Sequence, residues 1–173
     1  MFEVDRADTQ AAKRARLIET PGLCYVAVDF LHDEVDERLE AAGWEPGRRS
    51  VMIWEGVTNY LTEPAVRHVL DWVGTTTPGS RLVFTYVHGG LLDGSVQFPG
   101  GRRVLGNVRR LGEPWTFGLF PDEVAGFVAR SGLRLREDLG ADDYRRRYLG
   151  DVAAPGSAFY RIALADVPSP AIA

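Results

Sequence analysis

The sequence predicts an α/β fold, a mostly parallel sheet with helices on both faces and an antiparallel hairpin near the C-terminal end. Short apolar runs alternate with helix-like stretches along the chain, as in successive strand–helix–strand crossovers. Several of those runs stop at an acid: Asp5, Asp29 and Glu55. Towards the C-terminus the crossovers shorten, so the last two strands are close enough in sequence to pair antiparallel.

The elements follow in order. Phe2 to Val4 reads as a brief strand ending in acid, and Ala7 to Glu19 as a helix stopped by Pro21-Gly22. Cys24 to Val28 is a continuous apolar run and reads as a buried strand. Asp33 to Ala42 reads as a polar helix closed by Gly43, and Val51 to Trp54 as another buried strand. Thr62 can cap a helix running to Gly74, with Glu63 and Pro64 in its first turn. Pro78-Gly79 is a turn, and Arg81 to Val87 a strand. The Gly-rich stretch from His88 to Glu113 carries one helical segment, Arg102 to Leu111. Pro121 starts a helix over Asp122 to Ser131 that Gly132 closes, and Leu133 to Asp138 alternates like a strand. Ala141 to Leu149 reads as a short helix and Ala158 to Ala165 as the last strand. The expected organisation is one domain over 1–167 and a loose tail over 168–173.

The chain has 173 residues, of which 45% are hydrophobic and 25% charged, a length and composition suited to one self-sufficient core. A formal net charge of −4 argues against a general nucleic-acid binder. Cys24 is the one cysteine, which excludes an internal disulfide and any multi-cysteine metal site, and the three histidines lack ligand spacing. No apolar run approaches the roughly 20 residues of a membrane helix, and the first residues do not read as a signal peptide. A cytoplasmic protein without a nucleic-acid or membrane partner is expected.

In open parallel sheets, ligands bind beyond the carboxyl ends of the strands, so the three acids are expected at one rim. A carboxylate there can accept from two ribose hydroxyls, because it offers several acceptor sites and no donor. Asp5 suits that role, with Glu3 two residues earlier on the same strand face as an alternative. Capping the following helix is an equally good reading of Asp5. Asp29 can accept from an adenine amino group while Phe30 covers the ring, although a loop acid beside a core Phe is the commoner arrangement. Glu55 can meet a cofactor ammonium or an arginine. Tyr60, Tyr86 and His88 can line a substrate pocket, His88 as a base, but such residues are more often structural. Arg145-Arg146-Arg147 reads as a solvated helix face.

Several segments together resemble one family. Phe2-Glu3-Val4-Asp5, then Thr9-Gln10 and Lys13-Arg14, is similar to the second-strand region of leucine carboxyl methyltransferase-like enzymes. This group includes many bacterial S-adenosylmethionine-dependent O-methyltransferases. Val28-Asp29-Phe30 resembles the adenine-side motif. The run from Trp54-Glu55-Gly56-Val57-Thr58-Asn59-Tyr60 to Glu63 is the most specific match. Pro78 to Phe84, Gly112 to Gly118 and Tyr160 to Ala163 continue in the same order. The resemblance implies a Rossmann-like class I methyltransferase sheet, mostly parallel with an antiparallel edge region. It implies S-adenosyl-L-methionine as cofactor, with Asp5 on the ribose, Asp29 and Phe30 on the adenine, and Glu55 near the methionine part. A small-molecule carboxylate or hydroxyl would accept the methyl group.

Relatives carry a first strand and Gly-rich loop ahead of the segment that opens this sequence. The chain is therefore expected to be a truncated, C-terminal portion of the family domain, through a truncated gene product or a misplaced start. The strand ending at Asp5 and the strand ending at Glu55 would then each present an unpaired edge, which favours self-association into a homo-oligomer. A non-catalytic remnant acting as an interaction module is the alternative function. A dinucleotide-dependent oxidoreductase shares the strand-end acid but needs the same Gly-rich turn.

Overall fold

Phe2–Asp5 forms strand β1, and the chain turns directly into helix α1, Ala7–Arg14. The structure is a computed structural model and describes residues 1–18, 20–150 and 157–169. Those residues fall into two compact units, Met1–Arg48 and Arg49–Ala173, and each is treated by itself.

In the first unit, β1 pairs in parallel with β2, Cys24–Ala27, in the register Phe2↔Cys24 to Asp5↔Ala27. The pairing extends one residue further, where the Val28 amide donates to the Asp5 carbonyl at 3.0 Å. Helix α1 ends at Arg14, five residues before the end that the sequence predicts, and that predicted end, Glu19, lies outside the described residues. One polar side chain ties it to the sheet. Gln10 is buried, and its Nε2 donates to the carbonyls of Glu3 and Val26, each at 3.0 Å. A buried amide needs such partners, and these hold α1 to both strands at once. Helix α2, Val35–Ala41, buries Val35 and Leu39, and Gly43 closes it with φ +94°. The Cys24–Val28 run is less buried than its composition suggests. Val26 and Val28 are enclosed, whereas Ala27 is exposed and Cys24 half-buried, because this two-stranded sheet is all edge.

The second unit is built on a four-stranded sheet in the order β3-β4-β6-β5. Strand β3, Val51–Trp54, runs parallel to β4, Arg81–Val87, and helix α3, Glu63–Thr75, connects them. Thr62 caps α3 as predicted, its Oγ1 accepting from the Ala65 amide at 3.4 Å. The buried face of α3 is Ala65, Val66, Val69, Leu70 and Val73, a helical stripe facing the core. Beyond β4 come α4 (Gly89–Leu92), α5 (Gly101–Arg110) and α6 (Val124–Ala129). Strand β5, Arg134–Gly140, then leads into α7, Ala141–Tyr144, and a wide π-helical turn over Arg145–Leu149. Strand β6, Tyr160–Asp166, inserts between β4 and β5 and is antiparallel to both. The predicted terminal hairpin is therefore present, and it supplies the antiparallel region near one edge of the sheet. Of the predicted tail, residues 170–173 lie outside the described residues.

The reading of Val51 to Trp54 as a fully buried strand is corrected. Val51 and Ile53 are 72% and 74% exposed, while Trp54 is buried. β3 is an edge strand whose alternate residues point to opposite faces, so only the Met52 and Trp54 face meets the interior of this unit. The core behind the sheet is formed by Leu82, Phe84 and Tyr86 of β4, Ala163 and Ala165 of β6, the α3 stripe, and Val124, Phe127 and Val128.

Candidate functional site

In the first unit, Asp5 and Asp29 stand at the same end of a parallel pair, Asp5 as the last residue of β1 and Asp29 two residues past the end of β2. The Asp5 Oδ1 accepts from the Arg6 amide at 2.8 Å, and its Oδ2 lies 3.3 Å from Lys13 Nζ. Lys13 lies closer to Glu3, at 2.7 Å. Glu3 and Asp5 share one strand face and one cation from the adjoining helix, which raises the Lys13 pKa chiefly through the Glu3 hydrogen bond. The Arg6 amide and the Lys13 ammonium leave the Asp5 carboxylate, which has about four lone-pair sites, with acceptor capacity to spare. The pure helix-cap reading fails here: Arg6 occupies the cap position of α1, with no side-chain cap bond.

Asp29 opens a tight turn. Its Oδ1 accepts from the Leu31 amide at 3.0 Å, its Oδ2 sits 2.9 Å from His32 Nδ1, and its own amide donates to Asp33 Oδ2 at 2.8 Å. The His32 contact, then the Leu31 amide, hold the Asp29 pKa below the ordinary carboxylate value. Asp33 in turn pairs with Arg38 at 2.7 Å. Phe30 follows directly, half-buried in the same turn. The turn is held by side chains, so Asp29 presents a set geometry on an exposed surface.

Glu55 belongs to the second unit, at the carboxyl end of β3, and is exposed. The turn that carries it is fixed to the neighbouring strand from both sides. Thr85 Oγ1 accepts from the Gly56 amide at 2.8 Å, and Thr58 Oγ1 donates to the Thr85 carbonyl at 2.7 Å. Gly56 adopts φ +70°, a left-handed conformation that favours glycine. Asn59 follows, fully buried, with both amide atoms lacking a partner among the described residues. Its carbonyl accepts from the Thr116 amide at 2.8 Å, which draws the segment after α5 onto this rim.

The weaker sequence candidates separate clearly. Tyr86 is not a pocket residue: it is fully buried, and its hydroxyl donates to Asp138 while receiving Arg161 Nε at 2.9 Å. His88 caps α4, its Nδ1 accepting from the Gly90 amide at 3.0 Å, between the rings of Phe98 and Phe120. Burial, then the Arg161 charge, push its pKa below the ordinary value, so the ring is neutral at pH 7 with its proton on Nε2. Neither ring nitrogen then has a lone pair free, which removes the predicted basic role in this arrangement. Arg146 and Arg147 pair with Asp143 and Glu137, each at 2.7 Å, as a solvated face should.

Residues not singled out from the sequence include Thr58, Thr85 and Asn59 as rim anchors and Tyr160 as a rim aromatic, whereas Trp115 takes the core or pocket-wall place that its type suggests. A polar pair, Thr58-Asn59, in the short turn after an apolar strand is the signal that marks the first of these. A cavity of about 620 Å³ also lies in this unit, lined in part by Glu63, Gly89, Phe117, Asp122, Phe127 and Arg130. Among the described residues no cluster of His, Cys, Asp and Glu is arranged to hold a metal ion, and no helix is long and apolar enough to cross a membrane.

Comparison with known proteins bears on the family and the fold. Residues 1–74 match the leucine carboxyl methyltransferase family. No curated protein sequence matches the chain. Among solved structures, a DUF574 family protein from Streptomyces avermitilis superposes with a TM-score of 0.68 at 17% identity, over 96% of this chain and 64% of that one. A methyltransferase-like protein from Thermobifida fusca YX gives 0.67 at 18% identity, over 97% and 63%. Human N-acetylserotonin methyltransferase, solved in complex with SAM, gives 0.55 at 13% identity, over 97% and 40%. The chain thus spans about two fifths to two thirds of the length of these structures. Residues 1–74 thus resemble leucine carboxyl methyltransferases, and the chain shares its fold with a part of these methyltransferase structures.

Proposed function

We propose that the chain belongs to an S-adenosyl-L-methionine-dependent O-methyltransferase that acts on a carboxylate or hydroxyl of a small molecule. The observation that carries this reading is the pair of acids, Asp5 and Asp29, at the same end of adjacent parallel strands. Asp5, with Glu3 behind it on the strand, accepts from the ribose hydroxyls. Asp29 accepts from the adenine amino group and Phe30 covers the ring. The residues present fit such a group: Asp5 keeps unused acceptor sites, and the Asp29 turn is fixed by Leu31, His32 and Asp33 before any ligand arrives.

When bound, the sulfonium supplies a methyl carbon open to in-line displacement. Asp5, Asp29 and Phe30 would hold its nucleoside, and an acceptor oxygen would take the methyl group by direct displacement, the carbon–sulfur bond pair leaving on sulfur. The protein's part is alignment and exclusion of water. A carboxylate acceptor is already ionised near neutral pH and needs no base, which suits a rim where His88 has no free lone pair.

Calorimetric titration of the chain with S-adenosylhomocysteine tests the reading. Saturable heat is expected, with affinity falling about tenfold or more in Asp5→Ala, as for loss of hydrogen bonds to a charged group. Absence of heat at millimolar ligand, or undiminished affinity in Asp5→Ala, overturns it.

A further inference from the structure

Three aromatic side chains meet at the rim of the second unit. Tyr60 ends the turn after β3. Tyr160 opens β6 and, because β6 runs antiparallel, pairs with Val87 at the carboxyl end of β4. Trp115 comes from the segment between α5 and α6 and lies edge-on to both, with ring centroids 6.3 Å from Tyr60 and 5.5 Å from Tyr160. Phe159 backs the set, 6.1 Å from Trp115 and 5.5 Å from Tyr160. Tyr60 is 40% exposed, and Trp115 and Tyr160 are half-buried, so the cluster is a wall and not a closed core.

The polar atoms of this wall are unused. Neither phenol hydroxyl has a hydrogen-bond partner among the described residues. Burial, then the neighbouring Tyr60, push the Tyr160 pKa up to about 12, so Tyr160 remains a donor throughout the neutral range. Trp115 Nε1 and the side-chain amide of the fully buried Asn59 are likewise unpartnered among the described residues. Buried or half-buried polar groups are ordinarily paired. Donors held in rings that all present flat apolar faces suit a planar ligand bearing an anionic oxygen.

We propose that Tyr60, Trp115 and Tyr160 form the acceptor-binding wall, and that the acceptor is an aromatic carboxylic acid whose carboxylate takes hydrogen bonds from the two phenols. This inference rests on the methyltransferase reading for its chemistry but not for its binding test. Attack by one carboxylate oxygen on the sulfonium methyl gives the methyl ester and neutral S-adenosylhomocysteine, with no proton to remove.

The test is a ligand-observed NMR titration of the chain with benzoate, cyclohexanecarboxylate and phenol. Benzoate is expected to bind at least tenfold more tightly than its saturated counterpart and than phenol. Tyr60→Phe and Tyr160→Phe keep the rings, and so the packing, and are expected to weaken benzoate about tenfold each while leaving phenol unchanged. Equal binding of benzoate and cyclohexanecarboxylate, stronger binding of phenol, full affinity in both Phe variants, or no benzoate binding at millimolar concentration each overturns the proposal. Because S-adenosylhomocysteine is titrated separately, failure of the cofactor reading shows as lost nucleoside binding, and failure of the wall as lost benzoate discrimination.

Discussion

The Tyr86 hydroxyl lies 2.9 and 3.0 Å from the two carboxylate oxygens of Asp138, although their strands are not neighbours. β6 runs between them and contributes Arg161, whose Nε and Nη2 reach the same carboxylate at 3.0 to 3.1 Å. The three side chains lock β4, β6 and β5 together through one charged centre. The Asp138 and Arg161 side chains are only 11% and 19% exposed, so each depends on the other for solvation.

Removing one member of such a pair strands the other. Arg161→Met is expected to cost about 3 kcal/mol, and Tyr86→Phe, which removes one hydroxyl and leaves the ion pair, about 1 kcal/mol. Urea unfolding of both variants beside Arg146→Met checks the order. Arg146 is 77% exposed in its pair with Asp143, and its loss should be close to neutral. Equal effects of Arg161→Met and Arg146→Met would show that the centre is not a structural lock.

The tyrosines make a second expectation, in alkaline solution. Tyr160 is raised from the ordinary value of 10.0 to about 12, by burial and then by Tyr60. Tyr86 is raised further, by burial and then by the Asp138 charge. A group with a folded pKa above its unfolded value adds stability that is whole below the unfolded pKa and drains as pH rises through the folded one. Stability should therefore fall between pH 10.0 and about 12. Ultraviolet titration of the six tyrosines should show a late-ionising class that shrinks by one in Tyr160→Phe. A variant whose titration and alkaline unfolding match the parent would refute the buried placement of this phenol.

The sequence made strands legible where their ends carry chemical punctuation. Arg81 to Val87 is bounded by Pro78-Gly79 and His88, and β4 spans those residues. Thr62 capping α3 is equally local, because one hydroxyl and one amide three residues on decide it. The acid-ended strands β1 and β2 were readable for the same reason. Burial was not readable, because it depends on what lies across the sheet: Val51 and Ile53 are as apolar as any core strand, yet their face is uncovered. The insertion of β6 between β4 and β5 is a non-local pairing that no window of sequence contains. The rim wall shows the same limit. Tyr60, Trp115 and Tyr160 lie far apart in sequence, and nothing in their neighbours indicates that the three rings meet.

Gly74 gives the sharpest contrast between local and tertiary preference. It lies one residue before the end of α3, where alanine is intrinsically the better helix former by about 1 kcal/mol. A Cβ there, however, would run into the carbonyl oxygen of Ser131, at the turn that follows α6. That oxygen is backbone, and its position is fixed: the Ser131 side chain donates to Asp71 of α3, the Ser131 amide to Val128, and Gly132 turns the chain with φ +74°. Relief would require α3 and this turn to move apart, opening the packing of Val73, Val128 and Leu133, all buried. Gly74→Ala is therefore expected to destabilise the second unit by about 2 kcal/mol, the scale of overpacking in a closed site. The nearby Gly126→Ala, where a Cβ meets nothing within 4 Å, should instead gain the helix preference. Urea midpoints that shift in opposite directions for the two variants confirm the close approach of α3 to the Ser131 turn. A stabilised Gly74→Ala would mean that the two elements are further apart than this packing requires.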